Sequence, residues 1–448
     1  MTVSSFDSAI YGGLFSDADV SALFDDAAEL RAFACVEGAL ARAQGALGII
    51  PNAAAARISD VCNHIVSGEA ALDPSPLRAG ARADGAPIPA FVAELRKAAG
   101  EEAGAFLHHG LTSQCVIDTA MILRVADALE IFEARLLTLS AKLATLARAH
   151  EMLPMAGRTR GMHAAPTTFG LKCAVWRDPL MRHLARLDQL RERALALSVG
   201  GAVGTMAALG PKAFEIEAMM AAELDLAIAP VPWHAARDRV LEIGEWFAQV
   251  AASLGKTARD VGRLASSDVG ELRIPGGGSS TMPNKINPVG PEAIETLARI
   301  AFGRLRDLQE ASMPMQERGG ASWMIEWISL PELAVATGAA LARSIELVDG
   351  LEPVPERMRA NLEAGNGLIL AERATFALAE HLPRPEAAAL VKAACAEASA
   401  SNRHLIDVLA ERAQPQLGAA ALDWASLRRP EDAIGQAVAL TRRALGDG

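Results

Sequence analysis

The chain has 448 residues, long enough for two or three domains and a large buried core. Its net charge of −11 argues against sequence-independent binding to nucleic acid, which needs a surplus of Lys and Arg; cations for an anionic substrate must be gathered locally. Hydrophobic residues make up 51% and aromatic residues only 4%, with Ala, Leu, Glu and Arg prominent, so the composition predicts a mainly helical protein.

Short helices come first. Ser16-Asp17 precedes one start, and residues 25–47 place Leu30, Phe33, Ala34, Leu40 and Leu47 at helical spacing. Residues 72–89, with four prolines and two glycines, are expected to form a looser connection. Long amphipathic helices are predicted over 116–150, 169–199, 238–269 and 288–310, a length that favours packing in a bundle. Between them, 154–166 and 272–283 are rich in Gly, Pro, Ser and Thr and are expected to be loops that carry function on a rigid frame. Pro353 and Pro355 open a smaller helical unit. The expected organisation is all-α: an N-terminal helical domain over 1–108, a central long-helix bundle over 109–350 and a C-terminal helical domain over 351–448.

The cysteines (Cys35, Cys62, Cys115, Cys173, Cys395) are widely spaced, with no CxxC pair, which predicts free thiols in a reducing cytoplasm. The N-terminus lacks the pattern of a signal peptide, and no uninterrupted apolar stretch reaches a membrane span. A cytoplasmic protein is expected, without membrane or nucleic-acid partners. No histidine pair at ligand spacing accompanies a carboxylate, no Rossmann glycine pattern is present, and neither metal nor cofactor is expected.

The most informative stretch is Pro275-Gly-Gly-Gly-Ser-Ser-Thr-Met-Pro-Asn-Lys-Ile-Asn-Pro288. Glycines and serines alone would suit a surface loop, and Lys285 is not spaced as in a P-loop. The ordered Pro, Lys and Asn before a long helix set it apart. The segment resembles the GSSxMPxKxNP signature of the fumarase/aspartase superfamily. His108-His-Gly-Leu-Thr-Ser-Gln-Cys-Val-Ile-Asp-Thr119 is similar to that superfamily's first block, HxGxTSxD, and the stretch from Gly157 to Lys172 to its second, GRTH with a following histidine and PxTxG. Three blocks in the right order make chance similarity implausible. Looser similarity to its bacterial cycloisomerases covers most of the chain.

The resemblance implies an almost all-helical subunit whose long central helices assemble into a homotetramer, each active site taking one block from each of three subunits. The substrate would be a small di- or tricarboxylate. Ser279 matches the catalytic serine; Lys285 and His163 are the other catalytic candidates. Substrate-binding candidates are His108, Thr112, Ser113, Arg158, Thr159, Arg160, Asn287, His234 and Arg237. Thr112 and Ser113 could equally cap the helix that follows, and packing at a helix start would equally explain His234.

Departures from the pattern matter. Arg160 stands at the GRTH histidine, a general acid/base in the lyases, and a guanidinium does not release its proton near neutral pH. Cys115 replaces an Asp, Asn284 and Ile286 replace the His and Arg of the cycloisomerases' MPHKRNP form, and Gln316 and Met324 fall at further histidine positions. The expected reaction is intramolecular: a 3-substituted cis,cis-muconate, foremost 3-carboxy-cis,cis-muconate, closes to its γ-lactone in aromatic (protocatechuate) catabolism. The sequence leaves open whether the substituent is carboxylate or another anion such as sulfonate, and the stereochemistry of addition. The alternatives are an adenylosuccinate- or argininosuccinate-type lyase and a catalytically silent structural relative.

Overall fold

The computed structural model describes residues 4–278, 281–282, 285–417 and 422–447. Local capping sets the first helices. Asp17 accepts the Val20 amide at 2.9 Å and starts Ala18–Ser21, and Asp25 accepts the Ala28 amide at 2.7 Å and starts Asp26–Ala46. The long helices run over Ser113–Ala149, Phe169–Ala194, Asp238–Ala265, Val289–Ala311 and Gly320–Asp349.

Four of these lie where apolar spacing predicts them. The 169–199 expectation overshoots because Leu197 N–H bonds to Ala227 O at 2.9 Å, and the chain leaves the helix for a short parallel bridge. The 238–269 expectation overshoots because Ser266 Oγ bonds back to Arg263 O at 2.7 Å and closes the last turn. Gly320–Asp349 lies outside the stretches predicted as long helices and contains Pro331. It is long and apolar enough to cross a membrane, but 67% of its most apolar window is buried within the protein, as in a core helix.

The chain forms two compact units, each assembled from separated stretches. The first comprises Met1–Leu136, Arg182–Gly255 and Ala293–Ala342. In it Phe132 meets Phe247 edge-on at 5.2 Å, and Gly255 admits Ala298 so closely that a Cβ at 255 would lie 2.7 Å from the alanine methyl. The second comprises Leu137–Met181, Lys256–Glu292 and Arg343–Gly448. Its apolar cluster joins Leu370, Leu378, Val391, Leu405 and Leu409 of the C-terminal helices to Ala156.

Sheet is confined to two-stranded pieces among the described residues. The segment expected as a loop over 154–166 is an antiparallel hairpin, Pro154–Thr159 against Met162–Thr168, with an irregularity between Ala156 and Arg158. Gly157 permits it, because a Cβ there would lie 2.7 Å from Ala165 O. In the glycine-rich segment, Gly277 pairs with Asn287 and Gly278 with Ile286.

Candidate active site

The first-block residues belong to the first unit. Thr112 and Ser113 sit at the N-terminal end of Ser113–Ala149, where the helix dipole favours an anion. The preceding loop is held tightly: Gly110 has φ +90°, and a Cβ there would lie 2.5 Å from Leu209. His108 is left-handed too, at φ +59°, and its Nδ1 lies 2.5 Å from Glu37 Oε1.

Behind these residues lies a buried ionic cluster. Arg237 donates to both oxygens of Asp118, at 2.6 and 3.1 Å, and to both oxygens of Glu326, with Nε to Oε1 at 2.9 Å. Its guanidinium lies over the Trp233 ring at 4.9 Å. Asp118 also receives Trp323 Nε1 at 3.0 Å and Gln114 Nε2 at 3.2 Å, and Gln114 Oε1 accepts Arg318 Nε at 2.7 Å. Burial alone would lower the Arg237 pKa, but Asp118 and Glu326 outweigh it and hold the guanidinium firmly charged. Burial raises the Glu326 pKa against the pull of Arg237.

Two sequence expectations are corrected here. Arg237 was expected to contact the substrate; it is 4% exposed, and its donors are turned inward to two carboxylates that would otherwise be buried and unpaired. His234 is equally buried, its Nε2 3.6 Å from Cys115 Sγ and its Nδ1 without a partner among the described residues. Burial pushes the His234 pKa down to about 4 and raises that of Cys115, so both are neutral near pH 7. His234 packs in the core.

The second- and third-block residues belong to the second unit. Arg158 and His163 face each other across the hairpin. Arg158 grips the fully buried Glu271 with two bonds of 2.9 and 2.6 Å, and Asn361 donates to the same carboxylate at 2.8 Å. Arg158 therefore anchors the hairpin, where anion binding was expected of it. His163 is exposed, and its pKa is lowered first by partial desolvation and then by Arg158. Thr159 and Arg160 are exposed at the tip, where Arg160 and Gly161 make the turn at φ +55° and +85°. Arg160 has no hydrogen bond or ion pair among the described residues. Lys285 is exposed and Asn287 half-buried beside the 277–287 pairing; Ser279 lies outside the described residues.

Sequence reading missed Glu37, Asp118, Glu271, Gln114 and Arg318. Asp118 and Gln114 carried a local signal, one turn apart on a helix face; Glu37, Glu271 and Arg318 find their partners far along the chain. A half-buried Lys172 was also passed over; burial lowers its pKa, against the pull of Asp260. A cavity of about 520 Å³ in the first unit, walled by Phe33, Leu77, Met121, Arg124 and Trp327 among others, includes none of the candidate site residues. Among the described residues no three His, Cys, Asp or Glu side chains converge as a metal site.

Residues 15–303 match the lyase family. The chain belongs to that family. The lyase is 39% identical over 444 residues to a 3-carboxy-cis,cis-muconate cycloisomerase of Pseudomonas aeruginosa, covering 98% of this chain and 96% of that one. It is 35% identical to an N-acetyl-S-(2-succino)cysteine lyase of Enterococcus italicus, over 89% of this chain and 87% of that one. The crystal structure of the 3-carboxy-cis,cis-muconate lactonizing enzyme of Pseudomonas putida matches it with a TM-score of 0.91 at 35% identity, covering 98% and 99% of the two chains. The almost all-helical fold implied by the three sequence blocks is the fold observed.

Proposed function

We propose that this lyase is a cycloisomerase that closes 3-carboxy-cis,cis-muconate to its γ-lactone. The observation that carries the reading is Arg160 at the tip of the second-block hairpin. Elimination of an amine needs a proton for the leaving nitrogen, which a guanidinium does not supply. Lactonisation needs none. A carboxylate oxygen of the substrate bonds to the conjugated diene, the π pair moves to the carbon beside another carboxylate, and one proton is added to carbon. Orientation of the single substrate lowers the barrier, and fixed positive charge stabilises the enolate-like intermediate.

In this proposal Ser279 handles the proton at carbon, helped by the positive charge of Lys285, and His163 is a second proton-transfer candidate. Thr112, Ser113, His108, Asn287, Thr159 and Arg160 bind carboxylates. Arg158 and Arg237 hold the site's frame. The active form is a cytoplasmic homotetramer with sites shared between subunits, its subunit divided at about residues 108 and 350, working in protocatechuate breakdown.

A second reading has one observation in its favour, the likeness to the succinocysteine lyase. A thiolate, with an ordinary pKa of about 8.5, leaves without an acid and is equally compatible with Arg160. Turnover of 3-carboxymuconate, other substituted muconates, adenylosuccinate and N-acetyl-S-(2-succino)cysteine, measured side by side, separates the readings. Loss of diene absorbance with 3-carboxymuconate alone supports the cycloisomerase. Turnover of the succinocysteine alone replaces it with the second reading, and turnover of adenylosuccinate defeats the argument from Arg160.

A further inference from the structure

Glu37 lies mid-way along Asp26–Ala46 with its side chain wholly buried. Its Oε1 meets His108 Nδ1 at 2.5 Å, and its Oε2 is buried with no partner among the described residues. The nearest arginine on the same helix, Arg42, is paired with Glu223 instead, through Nε at 2.8 Å and through Nη2. Two turns beyond Glu37, Gln44 donates Nε2 to His109 O at 2.8 Å. One helix thus grips two successive residues of the first block, one by its ring and one by its backbone. The gripped loop is in an uncommon conformation, with His108 at φ +59°. The other ring nitrogen of His108, Nε2, makes no hydrogen bond among the described residues, and the side chain is 18% exposed.

A purely structural tie accounts poorly for this arrangement. Burying a carboxylate with one oxygen unpaired is costly, and an apolar or amide side chain would fill the space at less cost. A carboxylate does one thing those groups do not. It only accepts hydrogen bonds, so the ring nitrogen facing it must carry a proton, which fixes the ring's rotation and leaves Nε2 as the outward-facing nitrogen.

We propose that Glu37 is a positioning residue: it orients His108 so that Nε2 is presented, four residues before Thr112, to the carboxylate-bearing substrate. The role for His108 rests on the proposed function; the orientation by Glu37 does not.

The test has two arms on the full-length protein. In ¹⁵N-histidine spectra, the His108 signal, assigned by its loss in His108→Asn, shows a protonated Nδ1. In Glu37→Gln the amide can turn either its oxygen or its NH2 toward the ring, and Nδ1 without a proton becomes populated. Finding Nδ1 bare in the unaltered protein overturns the proposal without any substrate, and so decides it even if Glu37→Gln does not fold or no muconate is turned over. In kinetics with the substrate that is turned over, Glu37→Gln lowers kcat/KM roughly 10- to 100-fold, the range for loss of a partner that orients a functional histidine. In the His108→Asn background the same change has little further effect. An equal loss in both backgrounds, or none in either, overturns the proposal.

Discussion

Arg237 and Arg160 are the same residue type in two opposite settings. Arg237 lies in the core of the first unit, over an indole ring, with donors to two carboxylates. Arg160 lies at the exposed tip of a hairpin in the second unit, in a backbone conformation that suits Gly or Asn, and has no partner among the described residues. Both stood out in the sequence as cations suited to an anionic substrate. The difference is whether the charge is already answered inside the protein. A guanidinium whose charge is answered holds the fold, and one left unanswered at a strained, exposed turn is available to a ligand.

The contrast breaks most visibly at Arg237. Arg237→Met keeps volume but leaves Asp118 and Glu326 buried without their cation, and should destabilise the protein by about 3–5 kcal/mol. Urea unfolding reads this directly. A variant within about 1 kcal/mol of the parent would mean that the cluster relaxes or hydrates, and Arg237 would return to the list of ligand contacts.

A smaller loss is expected on acidification. Burial holds the His234 pKa at about 4, below its ordinary value, so the unfolded chain takes up the proton first as pH falls. The stabilising preference for the neutral ring is complete above about pH 6.5 and is lost progressively toward about pH 4, up to roughly 3 kcal/mol. His183 is depressed to about 4 by burial as well and adds to the same window. His234→Gln should flatten part of the slope between pH 6.5 and 4.5. An unchanged slope would place the ring in water, against its burial here.

These two expectations depend on what the sequence did not disclose. Apolar spacing located the 113–149, 169–194, 238–265 and 289–311 helices to within a few residues, because that pattern is local. The helix over 320–349 lay outside the predicted stretches, and the 154–168 hairpin escaped the pattern because its glycines and threonines suit a loop equally well. The three blocks pointed to which residues to examine. They did not say which way each side chain faces, since Arg237 meets its partners across 119 and 89 residues, Arg158 meets Glu271 across 113, and His108 meets Glu37 across 71. Pairing across such separations is set by packing, and no local pattern encodes it.

On the other side of the comparison, Arg160→Lys should leave stability unchanged and raise KM about tenfold, roughly 1.4 kcal/mol of binding, with kcat nearly constant. An ammonium keeps the charge but loses the two parallel bonds a guanidinium makes to a carboxylate. Unchanged kinetics in both Arg160→Lys and Arg160→Ala would put the arginine outside the site.

The smallest effect is the most discriminating. The turn at Arg160 and Gly161 has positive φ at both positions, the geometry of a two-residue hairpin loop that favours Asn-Gly. An arginine at φ +55° carries a cost that Asn, whose short side chain tolerates the left-handed region, largely avoids. Arg160→Asn should therefore stabilise the protein by about 0.5–1 kcal/mol, a rise in Tm of a degree or two at this size. The same substitution removes the free guanidinium, so KM should rise at least as far as in Arg160→Lys. Opposite movement of Tm and affinity in one variant is what a residue kept for its ligand should give. A fall in Tm would show that Arg160 makes a stabilising contact within the protein, and the contrast with Arg237 would then be one of degree.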